Sequence, residues 1–341
     1  MYNKNLIKLF LFSSISALLI AGFINYLVDP LSETKYNVFS IDKVVQTVRR
    51  NKLMLSKKAN TIDNLVLGSS RSMQLNPETI SKYLGGSTFN FAVNSGLPED
   101  FLGTLRHLIR ENKIPKNIIL GLDFYFLNDK LLPEADFLSE PELNFLNLET
   151  RSSTFFSLDK LILSMKNIYM VVRKKEIEYK LDNHGYLPYR VQDSLIKNNQ
   201  YDFFKNIQED SQNYMNGKYS YKQYDQLSPK RIDYLLELIT LCEDYNIKLY
   251  VFLSPVHSFH YKEINNNNTL TNTLIEFKRE IRKHFSYYDF MYINHINNND
   301  ENFYDSVHIR KNYTDLILAN IFNDSSLTKE QRIGIYTKKR D

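Results

Sequence analysis

Apolar residues occupy almost every position of the segment 9–28, in which only three serines and one asparagine are polar. Twenty helical residues rise about 1.5 Å each, so such a helix spans about 30 Å, the thickness of the hydrocarbon core of a bilayer. Lys4 and Lys8 precede the segment and Asp29 follows it, and the positive-inside rule then keeps the N-terminus in the cytoplasm. The pattern predicts a membrane anchor at residues 1–30 and export of the rest of the chain.

Two other interpretations of this segment are open. Ala17 and the pair Ala21-Gly22 are small enough for a signal-peptidase site, which would make the segment a cleaved signal peptide. Apolar residues continue beyond any such cut as far as Val28, which favours an uncleaved anchor. A buried core helix fits less well, because the segment has no polar face.

Beyond residue 60, short apolar runs alternate with amphipathic segments. The runs that predict strands are residues 64–69, 88–93, 117–126, 248–253 and 287–293. The segments that predict helices are residues 76–84, 98–112, 228–246, 270–284 and 310–322. This alternation predicts an α/β fold, a three-layer α/β/α sandwich around a mostly parallel five-stranded sheet. In such sheets, functional sites form at the carboxyl ends of the strands.

The segment 128–227 interrupts this alternation and is rich in charged residues and tyrosine. About a hundred residues are too many for a structureless loop, so we expect a mainly helical insertion at the edge of the site. The α/β domain then comprises residues 31–127 and 228–325. Residues 326–341 are expected to form a poorly anchored surface tail, and the asparagine run 265–268 a flexible loop.

Composition excludes several classes of protein. The 341 residues carry a formal net charge of +4, so no nucleic-acid partner is expected. Cys242 is the single cysteine, which excludes an intramolecular disulfide and a cysteine metal cluster. His257 and His260 form a His-x-x-His pair, but two ligands on a predicted loop are too few to indicate a metal site. The 24 tyrosines and 22 phenylalanines suit carbohydrate contacts, but an ordinary aromatic core is favoured.

Two short motifs carry the candidate chemistry. The first predicted strand runs into Gly-Ser-Ser-Arg at residues 68–71, and an Asp-x-x-His motif lies at residues 305–308. A serine hydroxyl is a weak nucleophile that needs a neighbouring base. Of the two serines we expect Ser70 to be the nucleophile, because it lies one residue further past the strand. His308 would then be its base, and Asp305 would orient and stabilise the imidazole.

Each motif also has a plain structural interpretation. Glycine and serine are common in turns that follow strands. Asp305 or Ser306 could cap the last predicted helix, which would leave His308 as a surface residue. The combination of both motifs with the α/β alternation favours the catalytic interpretation.

Together with the Asn-Ser-Gly turn at residues 94–96, these motifs resemble those of the SGNH (GDSL-like) hydrolase superfamily. The resemblance covers residues 61–126 and 228–322 and leaves out the insertion. It implies an α/β/α fold and a reaction through an acyl-enzyme. We expect no cofactor, and no metal because the candidate ligands are too few.

The resemblance also implies an oxyanion hole, to which the backbone N–H groups of Ser70 and Gly96 would donate. The third donor of the superfamily is an asparagine side chain, but this sequence has Asp123 at that place. Because an ionised carboxylate repels an oxyanion, Asp123 is expected to be protonated, turned away, or replaced by Asn94 or Asn128.

Arg71 and His257 are further candidates, as substrate contacts. Arg71 follows the nucleophile and could bind a carboxylate or a sugar acid, although a structural salt bridge is the favoured alternative. His257 follows the fourth predicted strand, at the same edge of the sheet.

An anchored, exported layout is similar to that of the branch of the superfamily that handles acyl groups on envelope polymers. Members include alginate and peptidoglycan O-acetyltransferases and the D-alanyl transfer protein of lipoteichoic acid synthesis, and they commonly work beside a multi-pass membrane acyltransferase. We therefore expect an enzyme that transfers or removes O-acyl groups, chiefly acetyl, on a cell-surface glycan. The alternative is a non-catalytic glycan-binding or scaffold protein, which the Asp123 departure favours. A cytoplasmic lipid esterase is disfavoured by the orientation of the anchor.

Overall fold

Within the described part of the chain, six strands pair into one sheet. The computed structural model describes residues 4–30, 48–138, 140, 142–146, 156–173, 180–217, 221 and 223–340. The strands are β1 (Asn64–Leu67), β2 (Thr88–Asn90), β3 (Asn117–Leu122), β4 (Lys248–Leu253), β5 (Tyr287–Asp289) and β6 (Ile335–Thr337). Their order across the sheet is β2-β1-β3-β4-β5-β6. The first five are parallel, and β6 pairs antiparallel with β5.

The helices of the same part of the chain precede, connect and cover these strands. They are α1 (Lys4–Val28), α2 (Val48–Lys58), α3 (Pro77–Leu84), α4 (Pro98–Arg110), α5 (Ala135–Leu138), α6 (Leu158–Val172), α7 (Arg190–Lys197), α8 (Phe203–Met215), α9 (Pro229–Asp244), α10 (Ser258–Asn266), α11 (Asn268–His284) and α12 (Lys311–Ile321). All five strands and five helices predicted from the α/β alternation are present, most of them shorter than predicted.

Two hydrophobic cores lie against the sheet. Side chains of a strand alternate between its two faces, and accordingly Leu65 and Leu67 of β1 pack into one core while Val66 packs into the other. Helices α4, α9 and α11 contribute to the first core, and α3 and α12 contribute to the second. Strands β1 and β3 are therefore buried from both sides, as their nearly continuous apolar sequences require.

The boundaries of α3 follow local chemistry. The side chain of Asn76 accepts a hydrogen bond from the Glu78 N–H (2.8 Å), and Pro77 occupies the first turn. These are preferred residues at a helix start. The helix ends at Gly85, whose φ of 70° is a conformation that glycine adopts without a steric penalty.

Two predictions about flexible segments were wrong. The tail beyond residue 326 supplies β6, so the sheet has six strands instead of five. The asparagine run 265–268 joins α10 to α11, and the side chain of Asn267 caps α11 by accepting a hydrogen bond from the Leu270 N–H (3.1 Å). Asparagine is a strong helix N-cap, so the run starts a helix and does not form a loop.

The described part of the insertion contains four helices, α5 to α8, which lie between β3 and β4 and are joined by non-helical segments. Helix α8 packs on α10, and α6 packs on α1. Helix α1 is, within the described residues, the helix long and apolar enough to cross a membrane.

Candidate active site

The structure brings Ser70, His308 and Asp305 together into one hydrogen-bonded chain. The Nε2 atom of His308 lies 2.8 Å from the Ser70 Oγ, and its Nδ1 atom lies 2.6 Å from the Asp305 Oδ2. Ser70 and His308 are 238 residues apart in the sequence. Their meeting follows from the parallel sheet, which places the ends of β1 and the segment after β5 at the same edge.

A constrained turn positions Ser70 directly after β1. Gly68 has a φ of 151°, and a Cβ atom there would lie 2.3 Å from the Ser72 Oγ, so a larger residue would not fit. The Ser72 N–H donates to the Ser69 carbonyl (3.0 Å), and the Met73 N–H donates to the Ser70 carbonyl (3.2 Å). These bonds bury the Ser69 side chain and leave the Ser70 side chain half-buried at the rim.

A tight loop presents Asp305 and His308 together. The Asp305 Oδ1 accepts hydrogen bonds from the N–H groups of Val307 (2.9 Å) and His308 (2.7 Å). The loop is closed by the Tyr304 N–H, which donates to the His308 carbonyl (2.8 Å). One carboxylate oxygen therefore shapes the loop, and the other is free to meet the imidazole.

Asp305 and His308 each shift the pKa of the other in the direction that favours the charged pair. Burial by itself raises the pKa of Asp305, but His308 and the two backbone N–H groups outweigh it and hold the pKa below its usual value. Burial by itself lowers the pKa of His308, but Asp305 and then Asp210 outweigh it and raise the pKa above its usual value. The site therefore stabilises an imidazolium, which is the species that forms when a histidine takes a proton from serine.

Asp210, from α8 of the insertion, is a site residue that the sequence analysis missed. Its Oδ2 accepts a hydrogen bond from the Ser306 Oγ (2.5 Å), and its carboxylate lines the same cavity as Ser70. Burial and the neighbouring Asp305 raise its pKa to about 6. No sequence signal separates Asp210 from the other acidic residues of the insertion, because only the packing of α8 brings it to the site.

A cavity of about 590 Å³ opens over Ser70. Its wall combines residues from the loops at the sheet edge with residues from the insertion, among them Asn94, Ser95, Leu97, Tyr125, Leu131, Leu132, Glu134, Tyr189, Asp210 and Tyr214. The ring of Tyr189 lies 6.0 Å from that of His308 and stacks on Tyr304 at 4.7 Å. The insertion thus borders the cavity.

Asp123, at the place of the expected asparagine, is turned away from the cavity. It is buried, its Oδ2 accepts a hydrogen bond from the Ser69 Oγ, and the Arg71 Nε lies 3.6 Å from the same oxygen. The Arg71 guanidinium is buried near the rings of Tyr125 and Tyr214, 5.6 and 5.9 Å from their centres. Arg71 is therefore the structural salt-bridge partner of Asp123 and does not line the cavity as a substrate contact.

The groups expected to donate hydrogen bonds to an oxyanion differ in whether they already have a partner and whether they reach the cavity. Among the residues that the structure describes, the Ser70 N–H has no hydrogen-bond partner. The Gly96 N–H donates to the Val93 carbonyl (3.1 Å), so it is already engaged. The exposed side chain of Asn94 lines the cavity, whereas the buried Asn128 accepts a hydrogen bond from the Lys130 N–H (3.0 Å) away from it.

His257, the other residue predicted to contact substrate, is buried and does not line the cavity. Its Nδ1 accepts a hydrogen bond from the Phe259 N–H (3.1 Å) at the start of α10, and its Nε2 lies 3.1 Å from an oxygen of Asp300. Burial lowers its pKa, against the opposing effect of Asp300. The residue is a buried helix cap outside the cavity.

His260 is part of the contact between α10 and α8. Its ring nitrogens lie 3.0 Å from the Ser211 Oγ and 3.2 Å from the Tyr221 hydroxyl, and burial, with a smaller effect of Arg71, lowers its pKa to about 3. Within the described residues, no three His, Cys, Asp or Glu side chains are grouped as metal ligands.

No protein-family model matches this sequence, and no curated protein is significantly similar to it.

Proposed function

We propose that this chain is a membrane-anchored SGNH-type serine acyltransferase or esterase, with the three-layer α/β/α arrangement of that superfamily, that acts on O-acyl groups of a cell-surface polysaccharide. The observation that carries the proposal is the continuous hydrogen-bonded chain Ser70–His308–Asp305 at the carboxyl edge of a parallel sheet. A binding protein has no need of an imidazole held between a hydroxyl and a carboxylate. An acyl-transfer enzyme requires that arrangement.

In the first half of the reaction, the Nε2 of neutral His308 takes the Ser70 proton as the Oγ attacks the ester carbonyl. Asp305 stabilises the imidazolium that results. The protonated His308 then gives the proton to the departing alcohol oxygen, the carbon–oxygen bond of the ester breaks, and the acyl group remains on Ser70.

The Ser70 N–H supports the negative charge of the tetrahedral intermediate, because it lies beside the attacked carbon and has no competing partner in the described structure. One donor of this kind is worth about 3–4 kcal/mol of transition-state stabilisation. The Asn94 side chain, which lines the cavity, takes the part of the second donor.

In the second half, His308 takes a proton from the acceptor hydroxyl as its oxygen attacks the acyl carbon. The protonated His308 then gives this proton to the Ser70 Oγ, the bond between the acyl carbon and that oxygen breaks, and Ser70 is released. Water as the acceptor gives an esterase, and a sugar hydroxyl gives a transferase. The anchor and the insertion favour transfer, with acyl groups supplied by a multi-pass membrane acyltransferase on the same membrane.

The charged side chains that line the cavity restrict the charge of the substrate. Glu134, Asp210 and Asp305 all line it, while the buried Arg71 does not. Carboxylates around the serine repel an anionic group and tolerate a neutral one. We therefore propose an acyl group without a negative charge, for which acetyl is the expected case, on a sugar that presents no carboxylate to the cavity.

The experiment compares cells that lack this chain with cells that regain wild-type protein, Ser70→Ala or Ser325→Ala. Ser325 is an exposed serine that does not line the cavity, and it serves as the matched control. Ester-linked acetyl on isolated surface polysaccharide, measured by NMR, should change with loss of the chain and return with wild type and Ser325→Ala only. Equal ester content in all four strains would contradict the proposal.

A non-catalytic glycan-binding protein is the second candidate, favoured by the engaged Gly96 N–H and by Asp123 in the asparagine position. It predicts that Ser70→Ala keeps the affinity of the full chain for surface polysaccharide and has no effect on its acetyl content. The two measurements together separate the candidates.

A further inference from the structure

Helix α6 of the insertion has its polar and apolar faces reversed relative to a helix in water. Its buried residues are Lys160, Ser164 and Asn167, all polar. Its exposed side carries an apolar stripe that repeats every three or four residues, namely Leu158, Ile162, Met165, Tyr169 and Val172. These five side chains are between 49% and 73% exposed. A surface helix of a water-soluble domain shows the opposite pattern.

The buried polar face of α6 packs on the candidate membrane anchor. The Asn25 side chain of α1 donates to the Ser157 carbonyl (3.1 Å) and accepts a hydrogen bond from the Ser164 Oγ (2.8 Å). Gly22 allows the close approach, because a Cβ atom there would lie 2.7 Å from the ring of Phe156. Small residues and hydrogen bonds between polar side chains are what hold helices together inside a bilayer.

We propose that α6 is a second membrane element, which lies in the outer leaflet of the lipid bilayer beside α1 with its apolar stripe in the acyl chains. The 15 residues of α6 rise about 22 Å, too short for the hydrocarbon core of about 30 Å. The helix therefore enters one leaflet without crossing it. It contacts the C-terminal half of α1, where Gly22 and Asn25 lie, and this half occupies the outer leaflet if the N-terminus is cytoplasmic.

The lipid bilayer is a better occupant of this stripe than a soluble protein. Helix α6 packs directly on α1, whose exposed surface is also apolar, so the medium that surrounds α1 also meets α6. Lys166, beside the stripe, and Arg173, at its end, have long side chains that reach the headgroups while their stems stay in the apolar region. Tyr169 is a residue typical of the membrane interface.

The position of α6 in the membrane also affects the candidate active site. The same insertion supplies α6 and the cavity residues Tyr189, Asp210 and Tyr214. An α6 seated in the leaflet therefore ties the insertion, and not only the anchor, to the membrane surface.

The test places a polarity-sensitive fluorophore on single cysteines of the full chain, reconstituted into vesicles of phosphatidylethanolamine and phosphatidylglycerol. Ile162→Cys reports on the stripe, and Ile275→Cys on α11 is the matched control, since these isoleucines are 66% and 61% exposed. Phe12→Cys reports on α1. The natural Cys242 is buried, and burial raises the pKa of its thiol to about 12, so it does not react.

The proposal expects the Ile162 and Phe12 labels to be quenched by lipids that carry a nitroxide on the acyl chain, and the Ile275 label to be quenched by aqueous iodide only. Quenching of the Ile162 label by iodide at the rate seen for Ile275 would overturn it. Protection of the Ile162 label from both quenchers would also overturn it, in favour of a protein partner over α6. Met165→Cys repeats the measurement one turn further along, in case one label disturbs the helix.

Discussion

Asp123 and Arg71 form a buried ion pair below the turn that carries Ser70. Their side chains are 0% and 2% exposed, and the Ser69 hydroxyl donates to the same carboxylate. A buried charge that loses its partner is strongly unfavourable. The pair therefore supports the serine turn from below, which gives Asp123 a structural role at the place where the sequence resemblance led us to expect an asparagine.

Asp123→Asn tests this assignment. It leaves Arg71 without a counter-charge, so we expect the free energy of unfolding of the detergent-solubilised chain to fall by about 3–5 kcal/mol. Asp244→Asn removes an exposed carboxylate and should change it by less than about 0.5 kcal/mol. A variant Asp123→Asn with unchanged stability and faster ester hydrolysis would instead place this side chain in the oxyanion hole.

Asp210 raises the pKa of His308, the base of the proposed mechanism. His308 must be neutral to accept the Ser70 proton, and Asp210 contributes to the raised pKa of His308 after the larger effect of Asp305. Removing the carboxylate in Asp210→Asn should lower that pKa. The acid limb of the pH profile of kcat/KM for an acetyl ester should therefore move to lower pH.

Glu209→Gln is the matched control for that measurement, because Glu209 is the exposed neighbour of Asp210 on α8. It should leave the acid limb in place. A shift of the acid limb to higher pH in Asp210→Asn, or no shift, would show that Asp210 does not act on His308.

At the scale of single residues, the sequence predicted the site residues that belong to short motifs. Ser70, Asp305 and His308 were placed correctly beside one another, because each follows from a strand end or a close spacing. Arg71 and His257 were misplaced as substrate contacts. A charged or imidazole side chain near a strand end can point into the fold as well as out of it, and only packing decides.

Helices α8 and α10 illustrate how elements assemble the site. His260 of α10 is wholly buried between Ser211 of α8 and Tyr221. The same α8 carries Asp210 one residue earlier. The imidazole therefore helps to fix the helix that brings the second acid to the cavity.

His260→Ala should lower the free energy of unfolding by about 2–4 kcal/mol, because it leaves a cavity and removes two buried hydrogen bonds. His295→Ala, at an exposed histidine, should change it by less than about 0.5 kcal/mol. The pKa of His260 is about 3 in the fold and near 6.5 in the unfolded chain, so the unfolded state binds the extra proton between these values.

The difference between the folded and unfolded pKa of His260 makes the stability of the protein depend on pH. Stability contributed by neutral His260 is complete above pH 6.5 and declines as the pH falls toward 3. Part of that decline should disappear in His260→Ala, as measured by urea unfolding at several pH values. Parallel pH curves for the two proteins would contradict the buried neutral imidazole.

Element boundaries were predictable only where the sequence marks them. Strand β4 was predicted with its observed ends because an apolar run stops at Ser254-Pro255. Strand β5 stops at Asp289, four residues before the predicted end, because this side chain accepts a hydrogen bond from the Met291 N–H (2.8 Å) and bends the chain. Strand β6 could not be predicted, since its three residues gain their structure from pairing with β5.

On the scale of the whole molecule, the strand order explains why one edge collects the site. The order β2-β1-β3-β4-β5 changes direction between β1 and β3, and such switch points open a crevice at the carboxyl ends of the strands. Ser70 follows β1 and Tyr125 follows β3, and both line the cavity. The insertion closes the other side of this crevice.

The proposed orientation predicts where the folded domain is found. Protease added outside an intact cell membrane should degrade the chain beyond residue 30, because the positive charges of Lys4 and Lys8, at the start of α1, retain the N-terminus inside. A cytoplasmic marker protein in the same sample should survive. Degradation that occurs only after lysis would contradict an exported domain.

The reactivity of Ser70 is the most direct test of the proposed enzyme. A fluorophosphonate probe reacts with a serine only when a neighbouring base activates it, and tandem mass spectrometry locates the adduct. We predict a single adduct on Ser70 that is lost in Ser70→Ala and His308→Ala and retained in Ser69→Ala. A folded wild-type chain that stays unlabelled, or an adduct that persists in Ser70→Ala, would contradict an activated nucleophile at this position.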